Sequence, residues 1–248
     1  MNLHIYYRHY NTNLGISKRR PSWFSYRNCL VNLFETLSKK NDSKLFFTLV
    51  FDGSELDYKS DFSSRLLVDW RERFQNIKIS CKLIKAGSDK SSFAQTVAIA
   101  DSDQLVGDED LVYLLENDYL HTDKWVNALE ILSASNIPWD YVSLYDHYDK
   151  YPFHPKFHKK YHKLQSRIYV TESNHWRSAP STCGSFLTRG KTLREDEFFL
   201  KRFKDRKLQP ILKLVKNRLL ITAVPGLSTH CMEGLLTPIV DWEKIANF

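Results

Sequence analysis

Two carboxylates, Glu116 and Asp118, follow directly on the short apolar run Leu111-Val112-Tyr113-Leu114-Leu115. Residues two apart in an extended chain point to the same side, so the pair can converge on one spot past the end of a strand. Open α/β sheets collect their ligands outside the carboxyl ends of strands. Two hard oxygen donors there suit a divalent cation, which would in turn hold phosphate oxygens. The competing reading is a strand ending in a polar turn, for which Asn117 and Asp118 are ordinary residues. The apolar run, bounded upstream by Asp108-Glu109-Asp110, has the profile of a strand buried on both faces.

The elements that must position this pair are legible around it. Leu3 to Tyr7, Leu45 to Phe51 and Ile77 to Ile84 read as further strands. Helices are expected from Ser22, as a cap, through Lys39, over Phe62 to Phe74, and over Ser91 to Asp101. Asn11 to Pro21, with Gly15 and the cluster Lys18-Arg19-Arg20, reads as a loop, and so does Gly87 to Lys90. Strand alternating with helix predicts a mostly parallel sheet covered on both faces. Downstream, Asp123 to Ser135 reads as helix, Tyr141 to Tyr145 as strand, Ser181 to Thr188 as strand, Glu195 to Phe203 as helix and Arg218 to Val224 as a last strand. Between Asp146 and Trp176 the alternation stops, in a stretch carrying His147, His154, His158, His162 and His175. Neither a linker nor an internal repeat is visible, so a single α/β domain is expected.

Composition narrows the function classes. A chain of 248 residues that is 42% hydrophobic and 14% aromatic can fill a sizeable core. No apolar run approaches the roughly 20 residues of a membrane span, and the first residues lack the pattern of a signal peptide. The four cysteines, Cys29, Cys81, Cys183 and Cys231, are widely spaced. That spacing suggests neither a zinc site nor a disulfide scaffold, and a reducing, cytoplasmic setting is expected. The formal charge of +7 and the pI near 9.1 permit an anionic partner: a nucleotide sugar, a phospholipid or a nucleic acid.

In order along the chain, these pieces resemble a nucleotide-sugar-dependent glycosyltransferase of the GT-A fold, of the inverting, family-2-like kind. The resemblance implies a nucleotide-binding half over residues 1–125 and an acceptor-binding half over 126–248. It implies Mn2+ or Mg2+ on the donor diphosphate, held at Glu116-Asn117-Asp118, where Glu stands for the first Asp of the family's motif. His230, in Pro225-Gly226-Leu227-Ser228-Thr229-His230, would complete the metal site; a mixed carboxylate and imidazole shell suits Mn2+. Asp52, in Phe51-Asp52-Gly53-Ser54, matches the residue that contacts base or ribose. Arg8, Lys90, Ser92, Asn117 and Gly184 are the further positions expected along the donor, with Trp176 to Ser185 as the wall shared with the acceptor. Arg194-Glu195-Asp196-Glu197-Phe198 resembles the element that supplies the base, Asp196 first and Glu195 second. The donor would be a UDP- or GDP-sugar and the acceptor a glycan or lipid-linked hydroxyl.

Plainer readings exist for each position. Asp52 can be a turn residue before Gly53, and Glu195 and Asp196 can be charges at a helix N-terminus. His230 can be a polar residue beside a turn. His158 and His162, spaced i, i+4, would share a helical face as a zinc pair does, but Pro155 and the basic surroundings favour a surface or acceptor-facing segment. Aromatics there, Phe153 and Phe157 among them, can stack on sugars or pack in the core. The basic run from Lys201 to Arg218, which includes Arg206, reads as a solvated face or as a peripheral contact with an anionic membrane, the inner face of a cell membrane included. Two other classes compete: a sugar-phosphate nucleotidyltransferase, whose Gly-rich basic signature Gly15 and Lys18-Arg19-Arg20 are too sparse to match, and a basic nucleic-acid-binding protein. No recognisable motif interleaves the basic residues with aromatics, so a nucleic-acid partner is not expected.

Overall fold

The computed structural model describes residues 1–10, 19–39, 44–152, 154–155, 157–204 and 207–247. Gly15 and Lys18, with the rest of 11–18, lie outside the described residues, as do Phe153 and Arg206. The first half alternates as expected. β1 (Asn2–Tyr10) leads to α1 (Tyr26–Ser38), β2 (Lys44–Asp52) to α2 (Glu55–Ser60) and α3 (Phe62–Arg73), and β3 (Ile77–Ile84) to α4 (Asp89–Ser102) and β4 (Leu111–Glu116). These four strands lie parallel in the order β3-β2-β1-β4. Ser25 rather than Ser22 caps α1, accepting from the Asn28 amide at 2.9 Å. The short helix α2 escapes a reading by periodicity because none of its six residues is buried.

The second half continues the same sheet. β5 (Tyr119–His121), α5 (Trp125–Ala134) and β6 (Tyr141–Ser143) are followed by an irregular stretch with one-turn 3-10 helices at Tyr148–Lys150 and Lys159–Tyr161. Then come β7 (Ile168–Val170), β8 (His175–Ser178), β9 (Phe186–Arg189), α6 (Gly190–Arg202), α7 (Leu208–Lys216), β10 (Leu220–Val224), β11 (Ser228–His230) and α8 (Trp242–Ala246). β9 enters antiparallel between β4 and β6, which extends the sheet to nine strands, ending β10-β8-β7. The strand expected at Ser181 to Thr188 is thus confined to Phe186–Arg189, and β5, β7 and β8, of three or four residues each, carry too short a pattern to read. His158 and His162 flank a 3-10 turn and do not share an α-helical face.

Both faces of the sheet are covered, which is why its strands read as continuous apolar runs. Leu3, Ile5 and Tyr7 of β1 pack on one side with Leu33 and Phe34 of α1 and Trp70 of α3. Tyr6, Val112 and Leu114 pack on the other with Phe93 and Val97 of α4 and Leu193 of α6. The result is the expected mixed α/β arrangement, a largely parallel central sheet flanked by helices.

A small second sheet sets the geometry at the end of β4. β5 pairs antiparallel with β11, so that Tyr119 faces His230. A two-way bond clamps β5 to α1: Asn32 Nδ2 donates to the His121 carbonyl at 3.0 Å and the His121 amide donates to Asn32 Oδ1 at 2.7 Å. The His121 ring lies fully buried, 2.9 Å from the Tyr113 hydroxyl, and burial pushes its pKa down to about 3. Because the folded ring resists a proton that the unfolded chain takes up near pH 6.5, the unfolded state binds more protons between about pH 6.5 and 3. Stability should therefore fall as pH drops through that window, by up to about 1.4 kcal/mol per pH unit from this one group. Urea denaturation at pH 7, 6 and 5 should show a steeper loss for the wild type than for His121→Gln; parallel losses would contradict the assignment.

Candidate functional site

The parallel register of β1 and β4 puts Arg8 beside Glu116 at the carboxyl ends of both strands. Arg8 Nη2 donates to Glu116 Oε1 at 2.7 Å, and Nη1 donates to Asp89, at the start of α4, at 2.9 Å to Oδ1 and 3.2 Å to the carbonyl. The guanidinium is buried and lies 5.4 Å from the centre of the Phe93 ring. Gly184 packs onto this pair: a Cβ there would sit 3.2 Å from Glu116 Oε1 and 3.3 Å from Arg8 Nη2. A larger residue would push into the ion pair, which explains glycine at the position.

Asp118 heads a second charged group. Its Oδ2 accepts from Arg20 Nη2 at 2.6 Å and contacts His230 Nε2 at 3.0 Å. Arg20 Nη1 donates to the Cys231 carbonyl at 2.6 Å, and the Cys231 amide donates back to the Asp118 carbonyl at 2.9 Å. His230 stacks on Tyr119, ring centres 5.1 Å apart and planes 6° from parallel. Burial alone would lower the pKa of His230, but the Asp118 carboxylate beside it overrides burial and raises the value to about 10. The ring is therefore an imidazolium at neutral pH.

His230 meets Asp118, while Glu116 pairs with Arg8, and this arrangement does not fit a divalent cation. Arg8 engages Glu116, while Arg20 and His230 share one oxygen of Asp118. Among the described residues no three acidic, His or Cys side chains are grouped to hold a metal. What the arrangement does offer is a row of cations, which suits a polyanionic ligand such as a diphosphate.

Two cavities open on this row. The first, of about 520 Å3, is lined by Arg8, Tyr10, Arg20, Tyr26, Asp52, Ser92, Asn117 and Asp118. Asp52 is tied to the chain as a turn residue would be, Oδ1 accepting from the Ala86 amide at 2.9 Å, and also borders the cavity. The second, of about 560 Å3, is walled by Tyr145, His147, Asp149, Thr182, Cys183, Lys204, Lys207 and His230. Asp89 and Glu116 belong to both walls, so the cavities adjoin at the Arg8 ion pair.

Three expected site residues lie elsewhere. Lys90 is exposed and borders a shallow basic groove with Lys201, Arg202 and Lys207, outside the first cavity. Helix α6 begins at Gly190, five residues before the expected start, where the Gly190 and Lys191 amides donate to the Asp110 and Asp108 carbonyls at 2.9 Å each; a Cβ on Gly190 would come within 2.2 Å of the Gly107 carbonyl. Glu195 and Asp196 therefore fall within the helix and not at its start. Asp196 is fully buried, accepting from Tyr141 Oη at 2.8 Å and from Arg218 Nε and Nη2 at 2.8 and 3.0 Å. Glu195 Oε2 accepts from Arg218 Nη2 at 2.6 Å. Neither lines the two cavities, and both serve as anchors between α6 and the start of β10.

The sequence reading passed over several wall residues. Arg20 stands only in a basic cluster, and Asp89 only within Gly87 to Gln95, the stretch that the resemblance sets along the nucleotide and sugar. Lys204 and Lys207 belonged to a basic run, His147 to a string of histidines, and His9 and Asp149 carried no signal at all. Each becomes a wall residue only through contacts between segments far apart in the chain, as with Arg20 and Asp118.

No protein-family model matches the chain, and no curated protein sequence matches it. Solved structures do. S. aureus TarS, residues 1–349, superposes with a TM-score of 0.52 at 12% identity over 90% of this chain. The present chain spans 58% of that one's length. At this identity the likeness is one of fold. Mouse xyloside xylosyltransferase 1 in its apo form gives a TM-score of 0.47 at 8% identity, covering 89% of this chain and 84% of that one. The Francisella tularensis 2-C-methyl-D-erythritol 4-phosphate cytidylyltransferase gives 0.42 at 10% identity, covering 98% and 96%. The last two are distant likenesses.

Proposed function

We propose that this protein is a glycosyltransferase that moves a sugar from a UDP- or GDP-sugar to a hydroxyl of a glycan or lipid-linked acceptor. The observation that carries the reading is the row of buried cations at the carboxyl ends of β1 and β4, where two adjoining cavities meet. The first cavity has aromatic and carboxylate walls for a nucleoside and cations for a diphosphate. The second has the hydroxyls, rings and titratable groups that suit a sugar and an acceptor. The GT-A-like fold supports the same reading without identifying donor or acceptor.

In the proposed reaction the acceptor oxygen attacks the anomeric carbon as the bond from that carbon to the diphosphate oxygen breaks. The electron pair leaves on the diphosphate, and the acceptor's proton passes to a base. Arg8, Arg20, Lys204 and the His230 imidazolium are the groups whose charge would stabilise the leaving diphosphate. His147 and Asp149, both on the second cavity wall, are the groups placed to take the proton, a role worth about 10²–10⁴-fold. Attack from the second cavity, with departure into the first, inverts the anomeric centre.

Calorimetric titration with UDP and GDP in the presence of EDTA is expected to show binding of one of them, weakened at least about tenfold by Arg20→Ala. Affinity that appears only on adding Mn2+ would return Asp118 and His230 to a metal shell and overturn the cationic account. No binding of either nucleotide under any condition would overturn the function.

The basic surface next to the second cavity supports a second element, peripheral contact with an anionic membrane that presents a lipid-linked acceptor. α7 buries Leu208 and Leu212 but exposes Leu214 and Val215 (86% and 57%) beside Lys213 and Lys216. Among the described residues no helix is long and apolar enough to cross a membrane. Sedimentation with phosphatidylglycerol vesicles at low salt, reversed by 0.5 M salt, at which the Debye length is only about 4 Å, and weakened by Leu214→Glu, is the expected outcome. Sedimentation that ignores both salt and the substitution would contradict it.

A further inference from the structure

One residue beyond the Arg8–Glu116 pair, the same register brings His9 of β1 beside Asn117, the residue between the two carboxylates. Both are buried. Asn117 Nδ2 lies 2.9 Å from His9 Nδ1, and His9 Nε2 lies 3.0 Å from Asp61 Oδ1. Asp61, the N-cap of α3, is itself buried and accepts from the Ser63 amide at 2.9 Å. Burial would raise its pKa, but the His9 and Ser63 hydrogen bonds hold it below the ordinary carboxylate value.

The chemistry of this chain of contacts leaves one arrangement. An ionised carboxylate only accepts, so the His9 proton facing Asp61 sits on Nε2. Asn117 Nδ2 only donates, so the Nδ1 that it meets at 2.9 Å accepts and carries no proton. The amide cannot turn over without setting its oxygen against the Nδ1 lone pair. Among the described residues no group donates to Oδ1, and Asn117 lines the first cavity.

We infer that Asp61 and His9 are positioning residues that lock the Asn117 amide with its carbonyl oxygen offered to the first cavity, as the acceptor for a hydroxyl or N–H of the nucleoside part of the donor. The inference rests on the proposed function for the identity of the ligand, though not for the locked amide. It distinguishes Asn117, which contacts the ligand, from His9, which acts only through Asn117. A plain structural role for His9 would lower stability and leave no signature tied to Asn117.

Two measurements test it. The first needs no ligand: long-range 1H–15N correlation on the wild-type protein should show His9 protonated at Nε2 and bare at Nδ1. A ring protonated at Nδ1, singly or doubly, overturns the lock whatever the protein binds. The second is a double-mutant cycle read by calorimetry with UDP and GDP. Asn117→Ala should weaken binding of the preferred nucleotide about five- to tenfold, the loss of one hydrogen bond. His9→Phe, which keeps a ring and removes both nitrogens, should weaken it about threefold or more in the Asn117 background and not at all in the Asn117→Ala background. Equal losses in both backgrounds, or an Asn117→Ala variant that binds as tightly as wild type, would overturn the inference and leave the proposed function standing. A wild type that binds neither nucleotide would overturn the proposed function, and with it the ligand contact.

Discussion

A buried guanidinium is expensive unless its charge is answered, and Arg8 is answered from two directions at once. Glu116 comes from the end of the neighbouring parallel strand and Asp89 from the first turn of a helix that crosses over the sheet. Leaving either charge unpartnered in such a position costs on the order of 3–5 kcal/mol. This single requirement ties together the register of β1 on β4, the seat of α4, and the close approach of Gly184, where a Cβ would press on the pair at 3.2 to 3.3 Å. Both cavities take their common wall from the same pair.

The charges around that pair are arranged in layers. Asp118, two residues beyond Glu116, is held by Arg20 from the segment after β1 and by His230 from β11. The small β5–β11 sheet brings His230 there, and the clamp between His121 and Asn32 ties that sheet to α1. Each carboxylate near the strand ends thus has its cation, and Lys204 adds another, contacting Asp89 and standing 3.9 Å from Glu116. A cleft built this way holds its cations in fixed positions, where a ligand phosphate can share them with the carboxylates. That is the physical sense in which the site is prepared for an anion.

Much of this was legible in the sequence because the first half is locally determined. β3 occupies the residues its alternating and β-branched pattern indicates, and β2 and β4 follow from apolar runs bounded by acidic or glycine turns. Arg8, Asp52, Ser92, Asn117, Glu116 and Asp118 all fall on the first cavity, since each sits at or just past a strand end, or on the adjoining turn of α4. What failed was information carried by packing. The acidic triplet at 195–197 looks like a helix start, but the helix begins earlier, where the Asp110 and Asp108 carbonyls accept its first amides, and Asp196 is buried against Arg218. Arg20 and Asp118 are 98 residues apart, and nothing local in either segment announces their pairing. Apart from Asp89 and Glu116, the second cavity is assembled from residues between Tyr145 and Leu235, most of them outside helices and strands, so periodicity has no purchase on it.

The central claim is that a nucleoside diphosphate lies against the cations at the ends of β1 and β4. Hydrogen–deuterium exchange with mass spectrometry, with and without saturating UDP or GDP, tests it most directly. The account predicts that one nucleotide slows exchange in the peptides covering residues 8–10, 19–26, 86–92 and 116–118, and leaves those of α6 at the Asp196–Arg218 cluster unchanged. Protection centred on α6 and α7, or no protection with either nucleotide, would contradict it.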